Sequence, residues 1–229
     1  MPIPPYNAQA GQDEFVVEML HHKKDGCFLE LGSNDPKQYN NTYYLEHGLG
    51  WVGIMVEYEA GWLPTYQKQR PRSFPIISDA TKIDYWQALA DHHFPKQIDY
   101  LQMDLDVDTR STLTTLEKLD ATVLPQYTFA TITFEHDIYT GNYFETRQRS
   151  REILEHRGYV RIFSDVSVWW HDKSSPVDKL CPFEDWYVHP SLVDKQLLEK
   201  IASDPVNVPG QKYDVYVNLV KKYTHTNTN

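Results

Sequence analysis

The sequence predicts an α/β fold: a Rossmann-like, seven-stranded, mostly parallel sheet with helices on both faces and an antiparallel last strand. Three observations carry this expectation. Apolar runs alternate with helical patterns along the chain, as βαβ units require. Phe28-Leu-Glu-Leu-Gly-Ser-Asn-Asp35 drives an apolar run into an acid, a glycine and a small polar turn. Trp51-Val-Gly-Ile-Met-Val-Glu57 repeats the run and ends it in a carboxylate.

The elements follow in order. Strands are expected near 27–32, 51–57, 74–78, 98–104 and 127–135. The first, second and fourth are continuous apolar runs, which fit strands covered on both faces. Helical patterns occupy 12–22, 38–48, 60–70, 82–92, 109–119 and 145–157, and Gly158 follows the last as a cap residue. Tyr159 to Trp169 reads as a sixth strand. Lys212-Tyr-Asp-Val-Tyr-Val-Asn-Leu-Val220 alternates and reads as a seventh. Between them, 171–211 is rich in Pro, Trp and charge and reads as an insertion or lid. Residues 1–223 are expected to form a single domain, with 224–229 a disordered tail.

Composition narrows the function. The formal net charge of −10 argues against a large nucleic-acid-binding face, which needs clustered Lys and Arg. No apolar stretch approaches the ~20 residues that span a bilayer, and the N-terminus lacks a signal peptide's basic and apolar regions. Two cysteines, Cys27 and Cys181, are too few for a disulfide framework, and Cys27 reads as buried filler. A cytoplasmic chain is expected.

A glycine turn after one strand and an acid at the tip of the next make a nucleoside site. The full glycine series of a dinucleotide turn is missing, because Asn34, Asp35 and Pro36 follow Gly32. A nucleoside without phosphate, such as S-adenosylmethionine, fits better.

The motifs also come in a familiar order. Gly11-Gln12-Asp13, Glu30-Leu-Gly-Ser-Asn-Asp35, Asn41-Thr42-Tyr-Tyr-Leu45 and Gly50 to Glu57 lead the series. Asp99-Tyr-Leu-Gln-Met-Asp104-Leu-Asp106, Ile132-Thr-Phe-Glu-His-Asp137, an Arg-rich helix and Gly158-Tyr159 complete it. Over about residues 11 to 165 the series resembles the FkbM family of S-adenosylmethionine-dependent O-methyltransferases, class I enzymes with a Rossmann-like sheet. Glu184-Asp-Trp-Tyr is a further echo. The chain departs from the family at the tip of strand four, where Asp106 and Val107 stand in place of a Glu-Gly pair. The resemblance implies S-adenosylmethionine as methyl donor and S-adenosylhomocysteine as product. It also implies a small-molecule or glycan acceptor, most simply a sugar hydroxyl.

Residue roles follow. Gly32 lets the donor's methionine portion pass close to the backbone, Glu30 meets its ammonium, and Ser33 and Asn34 add polar groups. The resemblance carries over Gln12 and Thr42 as partners of the donor's carboxylate. Glu57 offers two acceptor oxygens to a ribose diol. Asp79, with Ala80 beside it, resembles the acid that meets the adenine amino group, and it equally suits a helix N-cap.

Asp104, Asp106 and Asp108 cluster at the tip of strand four, and Glu135, His136 and Asp137 at the tip of strand five. Methyl transfer to a hydroxyl needs a base or a Lewis acid. By analogy with metal-dependent macrocin-type enzymes, Asp104 with Glu135 or His136 would ligate Mg²⁺ or Mn²⁺ and Asp106 would take the proton. Without metal, Asp104 lies near the donor and His136 is the base. Asp106 and Asp108 also suit the start of the following helix. Arg147, Arg149, Arg151 and Arg157 read either as a pocket for an acidic group or as a solvated helix face. His21-His22 and His92-His93 read as helix-end dipole partners on the surface. The Trp- and Tyr-rich stretch at 169–190 either closes over a substrate or anchors a long connection. An RNA-cap methyltransferase and a non-catalytic donor-binding module are the competing functions, and an oligomer is compatible with either.

Overall fold

A computed structural model describes residues 6–170 and 179–225. In chain order the elements are α1 (Gln12–Met19), β1 (Cys27–Leu31), α2 (Tyr43–Leu49), β2 (Val52–Glu57) and α3 (Leu63–Gln69). Next come β3 (Phe74–Ile77), α4 (Tyr85–Asp91), β4 (Gln97–Met103), α5 (Ser111–Thr122) and β5 (Thr128–Glu135). The chain closes with α6 (Phe144–His156), β6 (Val160–Trp170), β7 (Lys179–Val188), α7 (Lys195–Ser203) and α8 (Tyr213–Thr224). The seven strands form one sheet in the order β3-β2-β1-β4-β5-β7-β6. The pairings from β3 to β5 are parallel, whereas β7 runs antiparallel to both β5 and β6.

Alternation along each strand sorts its side chains to two cores. Phe28, Met55 and Tyr100 face one core, together with Phe15, Trp186 and Tyr216, under α1, α2, α3, α7 and α8. Leu29, Leu31, Ile54, Val56, Leu101, Met103, Ile132 and Phe134 face the other, under α4, α5 and α6. Leu31 pairs with Val56 and Met103, Met103 with Phe134, and Phe134 with Asp185. One step further along the strands, Glu57, Gly32, Asp104, Glu135 and Glu184 therefore come into one row. Four acids and a glycine share the C-terminal edge of the sheet and face the first core's side.

The seventh strand is where the expectation fails. Residues 213–224 form α8, and the strand lies at Lys179–Val188, inside the stretch read as an insertion. Tyr216, Val217, Leu219 and Val220 are the buried residues of α8, a helical stripe with i, i+1, i+3 and i+4 spacing. The β-branched alternation at 213–219 is incidental to it. The strand was hidden by its acids, since Glu184 and Asp185 are buried in β7, between β5 and β6. The proposed lid's first part, 171–178, and the tail, 226–229, lie outside the described residues. Gly158 caps α6 as expected, with φ +87° and its N–H on the Glu155 carbonyl.

A polar network holds the loop after β1 in place. Arg70, at the end of α3, is fully buried and its Nε donates to Glu46 of α2 at 2.9 Å. Its Nη1 reaches Asn40 Oδ1 at 2.8 Å and its Nη2 reaches Thr42 Oγ1 at 2.7 Å. Thr42 in turn donates to Glu30 at 2.9 Å, and Asn40 Nδ2 donates to the Ser33 carbonyl at 3.0 Å. Arg70→Met removes the one cation from this network and strands Glu46 and Glu30. We expect a loss of about 3–5 kcal/mol in urea unfolding. A loss below about 1 kcal/mol would show that the network is not a support.

Candidate active site

The turn at the tip of β1 is built on a forced glycine. Gly32 has φ +84°, and a Cβ there would lie 1.7 Å from the carbonyl oxygen of Asp104. The protein's own backbone therefore demands glycine, apart from any ligand. Past this turn Asn34 adopts φ +46° and donates its N–H to Glu57 Oε2 at 2.7 Å. Glu59 N–H donates to Glu57 Oε1 at 2.8 Å. Each oxygen of Glu57 thus takes one backbone bond and keeps lone-pair capacity for a ligand hydroxyl.

A cavity of about 310 Å³ opens over this turn, walled by Glu30, Gly32, Ser33, Asn34, Trp62 and Asp104 among others. Glu30 is 1 % exposed, and burial raises its pKa against the pull of Arg70, Thr42 and Asn40. Thr42, expected to meet the donor, is completely buried beneath Glu30 and acts as its support. An adjoining hollow is lined by Glu57, Tyr58, Leu105 and Asp106, and a further one by Tyr58, Asp79, Ala80, Leu105 and Asp106. Asp79 Oδ1 accepts from Thr81 N at 2.9 Å and from Thr81 Oγ1 at 2.7 Å, which lowers its pKa. Asp79 thus caps only the short turn Ala80–Lys82, while Asp84 caps α4, and Asp79 stands beside Ala80 on the wall of the hollow.

A second cavity, of about 480 Å³, shares Tyr39, Asn41 and Asp104 with the first. Gln12, Glu135, Tyr139, Trp169, Trp170 and Tyr213 stand on its wall with Asp104. Asp104 is exposed, but toward these concave mouths, where surrounding protein raises its pKa. Burial, and then the neighbouring Asp104, push Glu135 well above the usual carboxylate range. Two carboxyls this close favour sharing one proton over ionising together. Gln12 is held by the Ala10 N–H on its Oε1, at 2.9 Å.

The structure separates residues that the sequence grouped. Asp106 faces the Asp79 and Glu57 hollows, and its Oδ1 accepts from Asp108 N–H at 3.0 Å, so it opens the turn into α5 and does not wall the second cavity. His136 is fully buried on the opposite side of β5 from Glu135. Its Nε2 lies 3.6 Å from Asp165 and 3.8 Å from Asp185. Strand alternation sends neighbours to opposite faces, so His136 cannot serve as base in a cavity lined by Glu135. The same geometry takes His136 out of the expected metal set and leaves Asp104 and Glu135 on one wall. Among the described residues, three-ligand groups converge at His136, Asp165 and Asp185, and at Glu18, His22 and His225. The first of these is already filled by cations, since Arg151 bonds Asp185 at 2.7 Å and Asp165 at 2.8 Å, and Arg147 also bonds Asp165. Burial would raise the Asp185 pKa, but the nearby His136 and the bonds from Arg151 pull it below the usual value. The Arg-rich helix is thus bolted inward through Arg147 and Arg151, and presents neither a solvated face there nor an anion pocket.

Asn41 is the residue that sequence reasoning passed over. It is 7 % exposed, lines both cavities, and its Oδ1 has no hydrogen-bond partner within the protein. A buried, unpaired acceptor at the junction fits an incoming donor group such as an ammonium. Tyr39, with φ +58°, also lines both cavities. In the sequence Asn41 opens the motif Asn41-Thr42-Tyr-Tyr-Leu45, from which Thr42 alone is given a role.

No family model and no curated protein matches the chain. Solved structures do. The chain is similar to a precorrin-6y C5,15-methyltransferase from Geobacter metallireducens, with a TM-score of 0.51 at 12 % identity, over 77 % of this chain and 86 % of that one. A TehB-like SAM-dependent methyltransferase from Corynebacterium glutamicum matches with a TM-score of 0.47 at 11 % identity, over 80 % and 89 %. A 1,6-didemethyltoxoflavin-N1-methyltransferase from Burkholderia thailandensis matches with a TM-score of 0.42 at 13 % identity, over 79 % and 79 %. At such identities the likeness is one of fold: this chain has the Rossmann-like, seven-stranded α/β fold of the class I S-adenosylmethionine-dependent methyltransferases.

Proposed function

We propose that the chain is an S-adenosylmethionine-dependent O-methyltransferase of FkbM type, a single domain over 1–223, acting on a hydroxyl of a sugar or similar small polyol. The observation that carries this reading is the position of Asp104. It walls the cavity over the β1 turn and also the larger cavity beside it. A group in that place stands between a donor held by the turn and an acceptor held by its neighbour.

The donor side is assigned to Glu57 for the ribose diol, and to Glu30, Ser33, Asn34 and Asn41 for the methionine end. Tyr58, Asp79 and Ala80 take the adenine. Bound S-adenosylmethionine supplies an electrophilic methyl group on a sulfonium. The chain supplies the proton acceptor. The Asp104–Glu135 pair, holding one proton between two carboxyls, keeps one ionised oxygen to receive the acceptor's hydroxyl proton. Its raised pKa brings that oxygen closer to the basicity a general base needs near neutral pH. This assignment replaces Asp106 and His136 as bases and uses no metal. The acceptor cavity combines carboxylates and the amides of Gln12 and Asn41 with Tyr139, Trp169, Trp170 and Tyr213. Polar groups matched to hydroxyls, beside aromatic faces matched to apolar C–H faces, support a sugar. A net charge of −10 counts against a polyanionic acceptor.

Three measurements test this. Glu57→Ala is expected to weaken S-adenosylhomocysteine binding in calorimetry at least tenfold, while unchanged affinity would remove Glu57 from the donor site. In a labelled-methyl screen over glycans, small alcohols and capped RNA, transfer is expected to the first two. Asp104→Asn should lower turnover on the acceptor so found by about 10²–10⁴-fold, the range of general-base loss, with the homologue still bound. Retained turnover would refute the base.

The pair also sets a pH dependence. Its pKa is raised in the folded state, so between the usual carboxylate value, about 4.3, and the raised one, the folded chain binds more protons than the unfolded. Stability from this source is therefore lost as pH rises through that window. Glu135→Gln should flatten the fall and raise the Tm of the ligand-free protein by about 2–4 °C at pH 8. A parallel pair of Tm–pH curves would contradict the shared proton.

A further inference from the structure

The second convergent group, Glu18, His22 and His225, lies away from both cavities, and nothing in the proposed reaction uses it. α1 and α8 pack side by side in the same direction. Gly11 abuts Tyr213 and Val217, Glu14 pairs with Lys221, and Glu18 meets Thr224 and His225. Contacts that advance together along both helices put the two C-termini at the same end. The partial negative charge of both helix ends is concentrated there, which favours a cation.

Glu18 lies at that end, and its side chain is only 2 % exposed. Its Oε1 is 3.5 Å from His22 Nε2, and its Oε2 is 3.1 Å from His225 Nε2. Thr224 Oγ1 also donates to Oε2, at 3.0 Å. One atom from each of the three side chains falls within 4.8 Å of the others. Ligand atoms around a tetrahedral zinc, at bonds of about 2.0–2.1 Å, stand roughly 3.3 Å apart, so only small side-chain rotations are needed. The loop cooperates. His21 and His22 are both left-handed, with φ +51° and +55°, a conformation unusual for such residues, and it turns the chain so that His22 comes back over Glu18. His22 and His225 remain half exposed or more.

We propose that Glu18, His22 and His225 form a binding site for a borderline divalent cation of the zinc class. Two imidazoles with one carboxylate select zinc and its transition-metal neighbours over Mg²⁺ and Ca²⁺, which take oxygen ligands. The ion clamps α1 to α8 at the ends opposite Gln12 and Tyr213, the residues by which these two helices wall the acceptor cavity. Its place in the protein is that of a structural ion, remote from the transferred methyl group.

The test uses the full chain without an affinity tag and does not depend on methyl transfer, so it stands whether or not the proposed activity is found. Zinc chloride titrated by calorimetry should show one site, and cobalt(II) should give the strong visible absorption of a tetrahedral complex. A hundredfold excess of Zn²⁺ over its Kd should raise Tm by about 5 °C or more. His22→Asn keeps a residue that tolerates the left-handed backbone, and His225→Ala changes an exposed helix end. Each should weaken zinc binding at least tenfold and remove the Tm shift, whereas His156→Ala on α6 should change neither. Undiminished stoichiometric binding in the His22→Asn/His225→Ala double variant, or no zinc-dependent Tm shift in the unaltered chain, would overturn the site.

Discussion

The buried guanidinium of Arg70 is the interaction on which the donor side of the site depends. Its donors reach Glu46, Asn40 and Thr42, and through the last two it reaches Glu30 and the Ser33 carbonyl. Those contacts come from α2, α3 and the loop after β1, which have no sheet hydrogen bonds in common. Burying an arginine and two carboxylates is costly, and it is offset only when the remaining polar atoms are satisfied. Here they are: Ser73 Oγ donates to Glu46 at 2.5 Å, and Arg72 N–H donates to it at 3.1 Å. The network fixes the shape of a loop that apolar packing alone would leave adaptable.

Acids at the sheet's C-terminal edge meet two different fates, and alternation decides which. Asp185 faces the α6 side, where Arg151 neutralises it, and its pKa is lowered. One step along, on the other face, Glu184 and Glu135 stand beside Asp104. Burial and mutual repulsion raise both glutamates well above the usual range. The same chemical group is a structural anchor on one face and a proton reservoir on the other. Among the described residues no cation forms an ion pair with Asp104 or Glu135, although Lys212 lines the same cavity, and such unpaired acids in a cleft mark a functional site more strongly than paired ones do.

The parallel half of the sheet was legible because strands buried on both faces read as apolar runs. Gly32, Glu57, Asp104 and Glu135 could all be placed at strand tips from sequence, and register brings them into one row. What could not be read was facing. His136 follows Glu135 directly, and Asp106 lies two residues past Asp104, so proximity in sequence grouped four residues that the sheet and the turn into α5 pull apart. β7 was hidden by its own acids, whose partners, Arg151 for Asp185 and Trp186 for Glu184, become visible only in three dimensions. α8 was misread because alternating β-branched residues can also fill a helical stripe. The inward ion pairs of Arg147 and Arg151 depend on Asp165, which sits in an irregular stretch of β6 at φ +55° and leaves no pattern in the sequence.

The glycine turn takes on a different meaning once β4 is considered. A turn glycine is ordinarily ascribed to a ligand that must approach the backbone. In this chain the space for a Cβ at Gly32 is taken by the Asp104 carbonyl, while Leu31 accepts the Asp104 N–H at 3.0 Å. Both backbone groups of Asp104 are thus set against the β1 tip. The turn that shapes one cavity and the carboxyl that joins it to the next are therefore a single rigid unit, held by backbone contacts that leave the Asp104 side chain free. Any side chain at position 32 would displace Asp104, and so change its spacing to Glu135, as surely as it would crowd a ligand. The constraint on glycine is thereby a constraint on the spacing between the two halves of the site.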